Sequence, residues 1–203
     1  MKEVLLDKIT NWTQESADAF YDYKLVNCGE SKKYIWQEDS QGMFLVKDTA
    51  AFYFNTNGTI YKITKWSDDQ EWKNFQELFE NNTDLLLEKP IHFEKINDEF
   101  NYTVVERPGG TLGTTFFELF LSEKIDNDII NKFIDSVSLL ISRMPETCPL
   151  PPKPVLINNN ICWTDFKYWK YTKQEFIQHF SAMLERISDS KTLLNKAKEQ
   201  WTI

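Results

Sequence analysis

The stretch AAFYFNTNGTIYKITKW, residues 50–66, decides the fold class. Its halves, AAFYF and TIYKI, are short runs of aromatic and β-branched residues, which suit a pleated, half-buried surface. Between them, Asn57-Gly58 marks a hairpin turn, because both residues tolerate a positive φ. Upstream, YIW and MFLV are set off by DSQG and KDT, so the run from Tyr34 to Trp66 reads as an antiparallel sheet.

Helices flank this sheet. Residues 3–24 carry Val4, Leu5, Leu6, Ile9, Trp12, Ala19, Phe20 and Tyr23 at roughly helical spacing, enough for one or two helices. Downstream, Ser67 and Gln70 form a capping box. The helix it opens is expected to reach about Glu80 and to pack Trp72, Phe75 and Phe79 on the sheet against Ile60 and Val104. Ile91 to Ile96 and Phe100 to Glu106 read as two further strands joined by Asn97-Asp98-Glu99. ERPGGTLG, residues 106–113, is a connector, since proline removes a donor and three glycines free the backbone.

The second half is mostly helical. Helices are expected at about 114–123 and 127–143, then the proline stretch PETCPLPPKP, residues 145–154, as an exposed or edge loop. A hairpin of Val155 to Ile157 and Ile161 to Phe166 turns on Asn158, Asn159 and Asn160, and Thr172 with Glu175 caps a helix carrying Phe176, Phe180, Leu184 and Ile187. A last helix follows Asp189. The fold class is α+β.

Composition narrows the function. A chain of 203 residues with 15% aromatics, including seven Trp and fifteen Phe, buries a core without help from disulfides. Cys28, Cys148 and Cys162 have no CxxC spacing, and only His92 and His179 accompany them, so reduced thiols are expected rather than a zinc site. The net charge of -8 argues against a phosphate backbone as partner, so no nucleic acid is expected. MKEVLLDKITNW lacks the unbroken apolar stretch of a signal peptide, and no run approaches the roughly 20 apolar residues of a membrane span. The expectation is a cytoplasmic protein with no membrane partner.

The order of these elements, with three local sequences, resembles the protein-kinase-like superfamily, in particular its aminoglycoside and small-molecule phosphotransferase branch. TIYKIT, residues 59–64, is similar to the family's third strand with its lysine. TVVERPGGTL, residues 103–112, resembles the fifth strand and the hinge, and ICWTDF, residues 161–166, the strand that ends in a metal-binding Asp-Phe. The resemblance implies a two-lobed single domain over 1–203: a helical extension 1–30, an N-lobe 31–106, a hinge 107–113 and a reduced C-lobe 114–203 with one β-hairpin. It also implies roles. Lys62 is the lysine for nucleotide phosphates, Glu77 the carboxylate that orients it, with Glu71 as substitute, Glu106 the hinge residue and Asp165 the metal ligand; the cofactors implied are ATP and Mg²⁺. Read without the resemblance, Lys62 is a lysine on a solvated strand face and Asp165 a strand-end turn residue.

The departures concern catalysis. The family places a catalytic Asp five residues before an Asn that leads into the first hairpin strand; here those positions fall at Pro149 and Pro154. The phosphate loop offers only Asp39-Ser40-Gln41-Gly42, and two residues after Glu106, where the hinge donates an N–H to adenine, stands Pro108. The expectation is a degenerate kinase-like protein, a binding or regulatory module for an unknown protein partner. Two rivals stay open: an active phosphotransferase with an unusually placed base, and a structural or assembly protein, viral if the lysine- and asparagine-rich composition reflects an AT-rich genome.

Overall fold

The structure is a computed structural model that describes residues 1–13, 35–65, 69–116, 119, 125–143, 147–150, 153–164, 167–187 and 190–201. The fold is α+β, and the chain forms two compact units, Met1–Gln76 with Glu88–Leu112, and Glu77–Leu87 with Gly113–Ile203.

The first unit is built on the sheet read from residues 50–66. Strands β1 (Ile35–Glu38), β2 (Gly42–Lys47), β3 (Ala50–Asn55), β4 (Thr59–Lys65), β6 (Lys89–Lys95) and β7 (Phe100–Glu106) align in the order β1-β2-β3-β4-β7-β6, every neighbouring pair antiparallel. Alternation along each strand gives the sheet two faces. Helix α1 (Lys2–Thr10) covers one of them, packing Leu5 and Ile9 against Phe44, Tyr53, Ile63 and Val104. Helix α2 (Asp69–Asn81) lies on the other, where Trp72 stacks on Phe93 with ring centroids 5.7 Å apart.

That division corrects one expectation. Phe93 is in register with Thr103, and Thr103 with Lys62, so Lys62 and Ile60 share the α2 face. Val104, one residue on from Thr103, points the other way and packs in the α1 cluster. The hairpin turn also differs in detail. Asn57 keeps a negative φ and Gly58 alone is left-handed, at φ 88. Gly58 N–H donates to Asn55 O at 3.0 Å, closing the turn ahead of the left-handed glycine.

The second unit joins β5 (Leu86–Leu87), β8 (Thr114–Thr115), β10 (Lys153–Ile157) and β11 (Asn160–Thr164) in the order β5-β11-β10-β8, with a separate pair of β9 (Thr147–Leu150) and β12 (Lys167–Thr172). Its helices are α3 (Asn127–Arg143), α4 (Lys173–Ile187) and α5 (Lys191–Gln200). Phe133 of α3 is the hub of its core, meeting the rings of Phe116, Trp163, Phe180 and Trp201 at centroid distances of 5.1 to 6.3 Å. The buried indoles find acceptors, as buried polar groups must: Trp163 Nε1 donates to Ser136 Oγ at 2.8 Å and Trp201 Nε1 to Ile134 O at 3.0 Å.

The second capping box forms as read. Glu175 N–H donates to Thr172 Oγ1 at 3.2 Å, and Thr172 N–H to Glu175 Oε2 at 2.8 Å. The asparagine turn forms too, with Asn158 and Asn159 at φ 48 and 62. Two expectations are corrected. Thr114–Thr115 is a strand paired to β10, not a helix start. The proline stretch is largely strand rather than loop: Pro149 sits in β9, and Pro154 near the start of β10, where pairing with β8 has not begun and no ladder donor is lost on that side. Ser67 of the first capping box and the helical reading of residues 14–24 lie outside the described residues, and the Gln70 side chain donates to Asn74 Oδ1 at 2.8 Å.

Candidate nucleotide-binding face

The face of the first sheet that carries α2 holds the lysine of interest. Lys62 sits on β4 between β3 and β7, in register with Phe52 on one side and Thr103 on the other. Its ammonium stands 5.6 Å from the Phe52 ring centroid, and Phe52 in turn stacks on Phe54 at 5.7 Å with the planes 12° apart. A cation held over an aromatic face is attracted by the ring quadrupole, so the aromatic pair and the lysine form one patch. Ile60, two residues before Lys62, completes it and is 5% exposed.

The connector meets this sheet at the start of β4. Thr59 is in register with Glu106, and Arg107 N–H donates to Gly58 O at 2.9 Å. The Arg107 guanidinium donates to Leu112 O, folding the connector on itself. Gly58 is required here, since a Cβ would stand 2.9 Å from Thr111 N. Glu106 itself is exposed, and Pro108 opens a 3-10 turn over Pro108–Gly110.

Glu77 is exposed on α2. It stands two residues, or about 200° of helix, from the buried Phe75. Asp165 lies outside the described residues, directly after β11. Counting strands from β4 as the third makes β2 and β3 the first and second. The loop between those is Asp48-Thr49, with no glycine, whereas Asp39 to Gln41 lie between β1 and β2, and Gly42 opens β2. There the Asp39 carboxylate accepts from the amides of Gln41 and Gly42 at 2.8 Å and from the Tyr53 hydroxyl at 2.9 Å. These bonds, that from Gln41 foremost, hold its carboxyl below the usual range, while burial and the bond to Asp39 push the Tyr53 hydroxyl up to about 12.

Position 154, where the family's Asn would stand, is a buried proline, and position 149 is a proline in β9. Among the described residues no three His, Cys, Asp or Glu side chains gather to hold a metal ion. Sequence reading set Ile60 beside the lysine on its strand but missed Phe52 and Phe54 as members of the patch. Strand alternation from Lys62 was the signal for Ile60, but the partners across the ladder needed the register.

No family model matches the chain, and neither does any curated protein. Among solved structures it is similar to the crystal structure of WbdD, with a TM-score of 0.45 and 11% identity over 84% of this chain and 48% of that one. The chain thus spans about half the length of that neighbour, and the likeness is a weak one of fold alone. Among the described residues no helix is long and apolar enough to cross a membrane.

Proposed function

We propose that the chain is a catalytically degenerate kinase-like protein, a binding or regulatory module for a protein partner with weak or no nucleotide binding. Supporting the scaffold are the central strand with Lys62, the helix that follows it on the same sheet face, and the two strands beyond that helix. The observation that carries the degeneracy is proline in strands β9 and β10 at the two positions of the catalytic loop, where neither a base nor a ligand is available. Phosphoryl transfer rests on positioning and charge neutralisation, and those two groups supply much of both.

Thermal shift with ATP and Mg²⁺ tests this reading. A ligand at its dissociation constant adds only about 0.4 kcal/mol of apparent stability, and at 100 times that constant about 2.7 kcal/mol. At millimolar nucleotide a small shift or none is expected, with turnover at background. A large Mg²⁺-dependent shift that is lost in Asp165→Ala and accompanied by phosphate transfer would replace this reading with an active phosphotransferase.

A further inference from the structure

We propose that Asn57-Gly58 is a spontaneous modification site gated by the connector: while the connector grips Gly58 the asparagine persists, and when the grip opens Asn57 converts to isoaspartate and the turn cannot close again. Asn57-Gly58 is the chain's one Asn-Gly pair, and Asn57 is exposed at the tip of the β3-β4 hairpin. Glycine leaves its own amide nitrogen unshielded, because it has no Cβ. In the reaction that nitrogen attacks the Asn57 carboxamide carbon. A C–N bond forms to close a succinimide, the carboxamide C–N bond breaks, and ammonia leaves with the proton that the Gly58 nitrogen gives up. Water then opens the ring at either carbonyl, giving aspartate or isoaspartate.

Two features of this turn act in opposite directions. Asn57 Oδ1 accepts from Thr59 N–H at 2.9 Å, which polarises the carboxamide and bridges it over Gly58. The attacking nitrogen, however, is held. Gly58 N–H donates to Asn55 O at 3.0 Å, and Gly58 O accepts from Arg107 N–H at 2.9 Å. Gly58 is buried so closely against the connector that a Cβ would stand 2.9 Å from Thr111 N and 3.1 Å from Arg107 O. To attack, the nitrogen must lose its proton and swing toward the side chain, yet the residue is pinned at both ends. Conversion therefore follows the population of the locally opened turn. The product makes the opening permanent. Isoaspartate adds a methylene to the backbone ahead of Gly58, so Asn55 O and Arg107 N–H are no longer both met, whereas aspartate keeps an oxygen for Thr59 N–H.

Arg107 provides the test. Its backbone, at φ -81 and ψ 139 and followed by Pro108, suits proline, so Arg107→Pro deletes the N–H on Gly58 O without backbone strain. Arg107→Ala keeps that N–H and shares the loss of the side-chain bond to Leu112 O. The full chain is incubated at mildly alkaline pH, residue 57 is followed by peptide mass mapping, and isoaspartate is scored by enzymatic methyl labelling. Expected are slow conversion in the wild type, fast conversion in the guanidinium-unfolded chain, and conversion several-fold faster in folded Arg107→Pro than in Arg107→Ala. Asn55→Ala, which removes the Oδ1 that accepts Asn57 N–H at 3.0 Å, is expected to quicken conversion over the wild type and serves if Arg107→Pro does not fold. The separated isoaspartate form should exchange its Arg107 amide faster than Asn57→Asp does. A folded wild type that converts as fast as the unfolded chain, or a folded Arg107→Pro no faster than Arg107→Ala, overturns the gate. An unfolded chain that keeps Asn57 intact overturns the site, and an isoaspartate form whose Arg107 amide stays protected overturns the permanent opening.

Discussion

Tyr53 shows how one side chain ties burial, hydrogen bonding and pH together. It is buried in the α1 core and donates to the Asp39 carboxylate at 2.9 Å. Its folded pKa of about 12 lies above the usual 10, so its contribution is fully present below pH 10. It is lost as pH rises from there through the folded value, because the unfolded state ionises first. Asp39 acts in the opposite direction: its depressed carboxyl stabilises above the ordinary aspartate range, and that stability fades as pH falls through the folded pKa. Melting temperature against pH should therefore fall less steeply above pH 10 in Tyr53→Phe than in the wild type. A parallel fall in both proteins would refute the assignment. Phe75 offers a packing test at the same scale. At 6% exposure, its replacement by alanine should cost about 3 to 5 kcal/mol by denaturant unfolding, and a loss under about 1 kcal/mol would place it in solvent.

Among the elements, what was legible in sequence is what local chemistry dictates. Thr172 and Glu175 announce their helix start because the capping bonds span only three residues. Asn158 and Asn159 mark their hairpin because few side chains tolerate a positive φ. The proline stretch misled for a non-local reason. Whether a proline is tolerated in a strand depends on which neighbour arrives beside it, and β8 comes from about forty residues earlier in the chain. The face carrying Val104 was misjudged likewise, because a register shift of one residue exchanges the faces of a strand. Of the candidate site, Lys62 was legible from its strand pattern, while the aromatic pair beside it depended on pairing across β3. Gly58 provides the element-scale test. Alanine there meets both a left-handed φ of 88 and a Cβ contact at 2.9 Å, so Gly58→Ala should destabilise by more than about 1 kcal/mol. Faster hydrogen exchange at the Arg107 amide, which donates to Gly58 O, should accompany it.

Over the whole molecule, each unit has its own means of cohesion. The first is a six-stranded antiparallel sheet between two helices, with an ion pair of Lys2 and Glu94 at 2.9 Å joining α1 to the edge strand β6. The second gathers its helices around Phe133, and the chain's last described residue, Trp201, closes that core at 2% exposure. Trp201→Ala should cost about 3 to 5 kcal/mol and lower amide protection in α3, as judged by hydrogen exchange. Unchanged α3 protection would show that the helix stands without its indole. The placement of the tryptophans also has an optical consequence. Trp163 and Trp201 lie in dry, hydrogen-bonded settings in one unit, whereas Trp12 and Trp72 of the other are only partly buried. Emission from the first pair is therefore blue and shielded from iodide, and that from half-buried Trp72 redder. Among the described tryptophans, Trp163 and Trp201 thus report on the core around Phe133 without any label.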